Sequence, residues 1–69
     1  MNIVIVDDEK NCVEALADKL KQYDGTNVVG VANNGMDGLK LMSEHKPDLM
    51  FLDVELPDIS GIEFLERIE

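Results

Sequence analysis

Three short apolar runs, Ile3–Val6, Val28–Ala32 and Leu49–Leu52, constrain this chain more than any other feature. Each is four or five residues long and nearly continuous, with little alternation between apolar and polar positions. A strand with one wet face alternates. A strand covered on both faces does not, because both sides of the pleat then need apolar side chains. The first two runs are also rich in β-branched residues, which fit a pleated surface. Sheets covered on both faces are mostly parallel, and parallel strands need crossover connections that are usually helices.

The intervening segments have helical spacing. Val13, Leu16, Ala17 and Leu20 recur at intervals of three and four and form one stripe, with Glu14, Asp18, Lys19 and Lys21 off it. Tyr23-Asp24-Gly25 closes that helix, with Gly25 expected as a left-handed C-cap. Met36, Leu39 and Met42 form a weaker stripe, within which Gly38 costs about 1 kcal/mol relative to Ala. Lys46-Pro47 stops this second helix, because the residue before a proline avoids helical backbone. Pro57-Asp58-Ile59-Ser60-Gly61 reads as a loop, and Ile62, Leu65 and Ile68 begin a third stripe that runs on toward Glu69. The order is β-α-β-α-β-α in one domain, an α/β fold with a parallel sheet and right-handed crossovers. Three strands are few for a sheet that must be covered on both faces, so residues 1–69 are expected to be the first part of a larger domain.

Charge excludes several functions. The chain carries 15 Asp and Glu against 6 Lys and Arg, a net charge of −9, so this segment is not expected to bind nucleic acid. A single cysteine, Cys12, allows no internal disulfide and fits a reducing compartment. No apolar run approaches the roughly 18 residues of a membrane span, and no secretory signal pattern opens the chain, so the expected location is cytoplasmic. Cys12 lies beside the first helical stripe and reads as a core or helix-face residue rather than a reactive thiol. His45, alone near a helix C-terminus, suits the helix dipole and makes no metal site. The four methionines read as core filler. Asn34-Gly35 reads as a strand-to-helix loop, and no glycine-rich phosphate cradle is present.

The acids that follow the strands matter most. Ligands of open α/β sheets bind at the carboxyl ends of the strands. Asp7 and Asp8 follow the first strand and Asp53 follows the third, so three carboxylates converge if those strands are neighbours. Unpaired, they would repel one another and raise each other's pKa values. A divalent cation removes that cost, and an all-oxygen ligand set suits Mg2+. A carboxylate beside Mg2+ can act as a nucleophile toward phosphorus and form an aspartyl phosphate. Spacing alone leaves Asp8 open between metal ligand and N-cap of the first helix.

Ile3-Val4-Ile5-Val6-Asp7-Asp8-Glu9, Asn33-Asn34-Gly35 followed by Leu39, and Pro47-Asp48-Leu49-Met50-Phe51-Leu52-Asp53-Val54-Glu55-Leu56-Pro57 with Gly61 after it stand in an order that resembles the first half of a response-regulator receiver domain. The opening and acceptor segments look most like receivers joined to LytTR-type DNA-binding domains. The resemblance implies a truncated flavodoxin-like fold: a three-stranded parallel sheet of order 2-1-3 with helices on both faces. It implies Asp53 as phospho-acceptor, and a Mg2+ site made by Asp8 and Asp53 directly, by Asp7 mostly through water, and by the backbone carbonyl of Glu55. Pro57 and Gly61 would shape the loop that presents Asp53. The phosphodonor would be a histidine kinase, and the module would serve signalling rather than count as an enzyme.

The family also uses a Ser or Thr after a fourth strand and a Lys after a fifth. Neither position falls within these 69 residues, and Lys10, Lys19, Lys21, Lys40 and Lys46 match neither. The isolated chain is therefore expected to bind Mg2+ weakly, to be phosphorylated slowly or not at all, and to relay no conformational change. An uncovered third strand and sheet face would favour self-association, as in a symmetric dimer. Two other functions compete. A haloacid-dehalogenase-like phosphohydrolase also places its nucleophilic Asp after a strand, but needs a second Asp two residues on. Here Glu55 follows Asp53 and Glu9 follows Asp7 at that spacing. A non-catalytic interaction module would carry these acids incidentally, and loss of Mg2+ binding in Asp8→Asn separates it from a receiver.

Overall fold

The apolar run that is β-branched at every position, Ile3–Val6, lies at the centre of the sheet. The computed structural model describes residues 1–68, with strands β1 (Asn2–Val6), β2 (Asn27–Ala32) and β3 (Leu49–Leu52) and helices α1 (Lys10–Leu20), α2 (Gly35–His45) and α3 (Gly61–Arg67). The strand order is β2-β1-β3 and both pairings are parallel, as the sequence implied. β1 is therefore flanked on both edges, and Ile3, Val4, Ile5 and Val6 are all buried. Its pairing with β2 slips by one residue between Ile3 and Val4, where Val29 is the extra residue.

Side chains of β1 alternate between two faces. Val4 and Val6 join Ala32 and Phe64 in one core, beneath α2 and α3. α2 comes very close to the sheet at Gly38. A Cβ there would lie 2.9 Å from both γ-methyls of Val6 and 2.9 Å from the Phe64 ring. The propensity lost at Gly38 is offset by this close approach. Ile3 and Ile5 point to the opposite face. The first crossover runs in the reverse direction to the second, so right-handedness puts α1 on that face. Ala17 and Leu20 of α1 accordingly flank a small groove with Val28, the partner of Ile3.

Local chemistry sets the helix ends, and here some expectations need correction. α1 ends through tightened turns, with Gln22 N–H donating to the Lys19 carbonyl at 3.1 Å and Tyr23 N–H to Leu20 at 3.0 Å. Its C-cap is Lys21, in right-handed backbone. Gly25 is left-handed, at φ +85°, but lies further along the turn and does not cap the helix. The left-handed cap belongs to α2, at Lys46 (φ 45°), whose N–H donates to the Met42 carbonyl at 3.0 Å. Pro47 keeps Lys46 out of the helix.

The third stripe is also corrected. Phe64 is the buried side chain of α3, while Ile62 and Leu65 are exposed; Ile68 packs half-buried on the core, as the stripe implied, but follows the helix in extended backbone. In a seven-residue helix, spacing cannot decide between two faces, and the face that meets Val4, Val6 and Ala32 is the one carrying Phe64. The part of that stripe reaching Glu69 lies outside the described residues. Met42 and Met50 pack on the core as filler, but Met36 and Met1 are exposed.

Candidate functional site

β1 and β3 deliver their acids to one place because their registers match. Val6 pairs with Leu52, and the next rung continues the ladder, with Asp53 N–H donating to the Val6 carbonyl at 2.9 Å. Asp7 N–H donates to the Ala32 carbonyl at 3.0 Å on the other side. Both backbones are thus fixed at the carboxyl end of the sheet, and Asp7, Asp8 and Asp53 present carboxylate oxygens that all lie within 4.8 Å of one another.

Each strand-end acid also braces the turn after it. Asp7 Oδ1 accepts from Glu9 N–H at 2.9 Å, and Asp53 Oδ1 accepts from Glu55 N–H at 3.1 Å. The N-cap of α1 is Glu9, without a side-chain bond to the helix. Asp8 is therefore not the cap, and the alternative of a ligand-type carboxylate stands for it. Its pKa lies above the ordinary carboxylate value, chiefly through loss of solvation, with the charge of Asp53, a hydrogen bond to Asp53 and the charge of Asp7 adding to it. Of the two ion pairs found among the described residues, Lys21–Asp18 and Arg67–Glu63, neither touches the cluster. Three converging carboxylates without a cationic side chain fit a small, hard divalent cation bound through oxygen.

The segment after Asp53 is a closed loop. Glu55 and Ser60 form an antiparallel bridge, and Gly61 N–H donates to the Val54 carbonyl at 2.9 Å. The backbone of Val54 leaves no room for a side chain at Gly61, where a Cβ would stand 2.7 Å from the Val54 Cα. The Ser60 hydroxyl accepts from Glu63 N–H at 3.0 Å and starts α3. The Glu55 side chain is exposed.

The loop tip carries a residue that sequence reasoning passed over. Asp58 Oδ1 accepts from Gly35 N–H at 2.7 Å and Ile59 N–H at 2.9 Å, and Oδ2 accepts from Met36 N–H at 2.9 Å. These bonds hold its carboxyl below the usual carboxylate range, those from Gly35 and Met36 most strongly. Asn34 completes the cap, its side-chain oxygen accepting from Asp37 N–H at 2.8 Å. The only sequence signal for Asp58 was an acid in a Pro…Gly loop.

Other singled-out residues are placed simply. Cys12 is exposed on α1, and its Sγ lies 3.5 Å from Glu9 Oε2. That hydrogen bond and the Glu9 charge raise its pKa and keep the thiol protonated. His45 ends α2 as its basic last-turn residue. The larger groove, about 510 Å³, lies between the C-terminal ends of α2 and α3, where Leu39, Met42, Pro47 and Arg67 line it; it includes none of the three acids. No described helix is long and apolar enough to cross a membrane.

Comparison with known proteins agrees with this architecture. The family model of the response regulator receiver domain matches residues 3–69. An uncharacterised response regulatory protein of Vibrio cholerae is 39% identical over 69 residues, covering 100% of this chain and 29% of that protein. A protein-glutamate methylesterase/protein-glutamine glutaminase of Desulfotalea psychrophila is 38% identical over 69 residues, covering 100% of this chain and 19% of that protein. Among solved structures, the response regulator domain of Thermotoga maritima CheB superposes with a TM-score of 0.91 at 32% identity, covering 96% of this chain and 49% of that one. A LuxR-family two-component response regulator from Aurantimonas sp. gives 0.91 at 30% identity, over 97% of this chain and 48% of that one. The chain thus spans less than a third of these curated relatives and about half of these solved chains.

Proposed function

Since the chain belongs to the response regulator receiver domain family, we propose that Asp53 is its phospho-acceptor and that a histidine kinase phosphohistidine is the donor. The observation that carries this reading is the meeting of Asp7, Asp8 and Asp53 within 4.8 Å at the ends of two paired strands. In the transfer, one carboxylate oxygen of Asp53 bonds to phosphorus while the donor's P–N bond breaks and its electron pair leaves on the imidazole. The Glu55 amide holds Oδ1 of Asp53 and leaves the other oxygen as nucleophile.

Mg2+ is the cation this donor set suits. Asp8 and Asp53 would hold it directly, Asp7 mostly through water, and Glu55 through its backbone carbonyl. Bound there, it would neutralise charge on the phosphoryl oxygens. The raised pKa of Asp8 supports this, because the bare cluster resists full ionisation.

We take residues 1–69 to be the β1-α1-β2-α2-β3-α3 part of a receiver, with strands four and five and helices four and five outside this sequence. The module serves cytoplasmic signalling rather than enzymatic turnover, and a net charge of −9 argues against nucleic-acid binding by this segment. The likeness to LytTR-linked receivers makes a domain of that type the output we propose. Among the described residues β3 is an edge strand, and that edge with the sheet face beside it supports self-association of this segment. Neither a phosphohydrolase nor a bare interaction module has an observation of its own in its favour.

The decisive experiment is the intact mass of the chain after incubation with Mg2+ and acetyl phosphate, beside Asp53→Asn. Gain of one phosphoryl group that needs both Mg2+ and Asp53 supports the reading. An equal gain in Asp53→Asn overturns Asp53 as acceptor, and no gain in the parent overturns the competence of this chain.

A further inference from the structure

Asp58 joins two elements that the chain keeps far apart. Its carboxylate accepts from the first two amides of α2, 23 and 22 residues away, at 2.7 and 2.9 Å. α2 itself is seated on the core, with Gly38 against Val6 and Phe64. At the other end of the same loop, Glu55 bridges Ser60 and donates its amide to Asp53. The loop is therefore fixed at its base by the sheet and at its tip by α2. The seat at the tip is tight: a Cβ on Gly35 would fall 2.3 Å from Ile59 Cγ1 and 3.1 Å from Asp58 Oδ1. Cutting the tip contact leaves the segment carrying Glu55 without its polar tie to α2, held by its base and by the apolar packing of Leu56 and Ile59 on the core.

We propose that Asp58 is a positioning residue for the cation site, fixing the Glu55 backbone relative to Asp53 by clasping the N-terminus of α2. This inference rests on the cation site proposed above, and extends it to a residue that touches neither cation nor phosphoryl group. Partners that orient metal ligands are commonly worth tenfold or more in metal affinity.

The test is an NMR titration of the 69-residue chain with Mg2+, in parent, Asp58→Ala, Asp58→Asn and Thr26→Ala forms. Thr26 donates its hydroxyl to the Leu20 and Tyr23 carbonyls near the opposite end of the sheet. Its loss destabilises the fold without touching the clasp, and so reports what a merely structural defect does. Asp58→Ala is expected to weaken Mg2+ binding on the order of tenfold. Asp58→Asn, which keeps one acceptor oxygen, is expected to recover part of that loss, and Thr26→Ala to bind like the parent. Parent-like affinity in both Asp58 variants overturns the inference and leaves the cation site standing. Equal weakening in Thr26→Ala also overturns it, since general destabilisation then accounts for the effect.

Metal-free amide exchange at Glu55 separates failure of the clasp from failure of the site. Faster exchange in Asp58→Asn supports the clasp, and unchanged exchange overturns it. A parent that binds no Mg2+ overturns the cation site, whatever the exchange shows about the clasp.

Discussion

On one face of the sheet, Val4, Val6 and Ala32 lie under α2 and the fully buried ring of Phe64, and half-buried Leu39, Leu41, Met42 and Ile59 ring that core. On the other, Ile3 and Ile5 are equally buried, yet their neighbours are not: Val31 is 49% exposed and Leu49 40%. α1 contributes no fully buried side chain to that second face. One helix covers a strip of the second face, whereas two helices and a loop close the first. The site depends on both. β1 supplies Asp7 and Asp8 from the strand the faces share, and the loop after Asp53 is clasped to the closed side alone.

The comparison predicts very unequal costs of substitution. Phe64→Ala removes the keystone of the closed face and is expected to cost about 3–5 kcal/mol. A core of this size rarely supplies more than about 3–5 kcal/mol in total, so the variant should show no cooperative melt by circular dichroism at 25 °C. A melt within a few degrees of the parent would mean that the two faces contribute equally, and would break the contrast.

Leu49→Lys tests the open face. Leu49 is a partly exposed edge position, so stability should change by no more than about 0.5 kcal/mol in urea titrations. Association should respond more strongly, because a charge on an edge strand blocks pairing with another copy. Light scattering is expected to show the variant monomeric at concentrations where the parent associates. A parent that is monomeric throughout removes self-association from the proposed function.

The smallest effect is a difference of sign in acid. Asp58 has a lowered folded-state pKa, so its contribution is present above the ordinary carboxylate range and is lost as pH falls through the lowered value. Asp8 has a raised one, so its ionised form penalises the metal-free fold at neutral pH, and that penalty disappears as pH falls below the raised value. Melting temperature against pH should therefore fall less steeply in acid for Asp58→Asn. Asp8→Asn should gain stability near neutrality and lose that gain in acid. The same slope in both variants would show that one shared field, rather than two separate environments, governs these acids.

The sequence showed the sheet clearly because its signal is local. Continuous β-branched runs have few alternatives, and the α1 stripe of Val13, Leu16, Ala17 and Leu20 lies half-buried as its spacing requires. The convergence of Asp7, Asp8 and Asp53 followed from one topological inference, that β1 and β3 are neighbours. What failed was shorter or longer in range than periodicity reaches. α3 is two turns long, so Ile62 and Leu65 were as good a stripe as the face holding Phe64. The close seat of Gly38 and the clasp of Asp58 depend on partners in other elements, and spacing along the chain carries no information about them. Asp8 was ambiguous because strand-end acids and helix caps use the same residue type.

The central place of β1 also bears on how the chain reaches its fold. The strand made first is the one whose second neighbour comes last: Asn2 N–H waits for the Asp48 carboxylate, 46 residues away and 2.7 Å distant once docked. Each doubling of such a closure adds only about 0.6 kcal/mol of entropy, so the delay is kinetic more than thermodynamic. β1-α1-β2 closes over the shorter span and is the unit expected to form early, with β3 and the Asp53 loop zipping on afterwards. The phospho-acceptor would then be the last acid to arrive, and an emerging chain would carry Asp7 and Asp8 through synthesis before their third partner is in place.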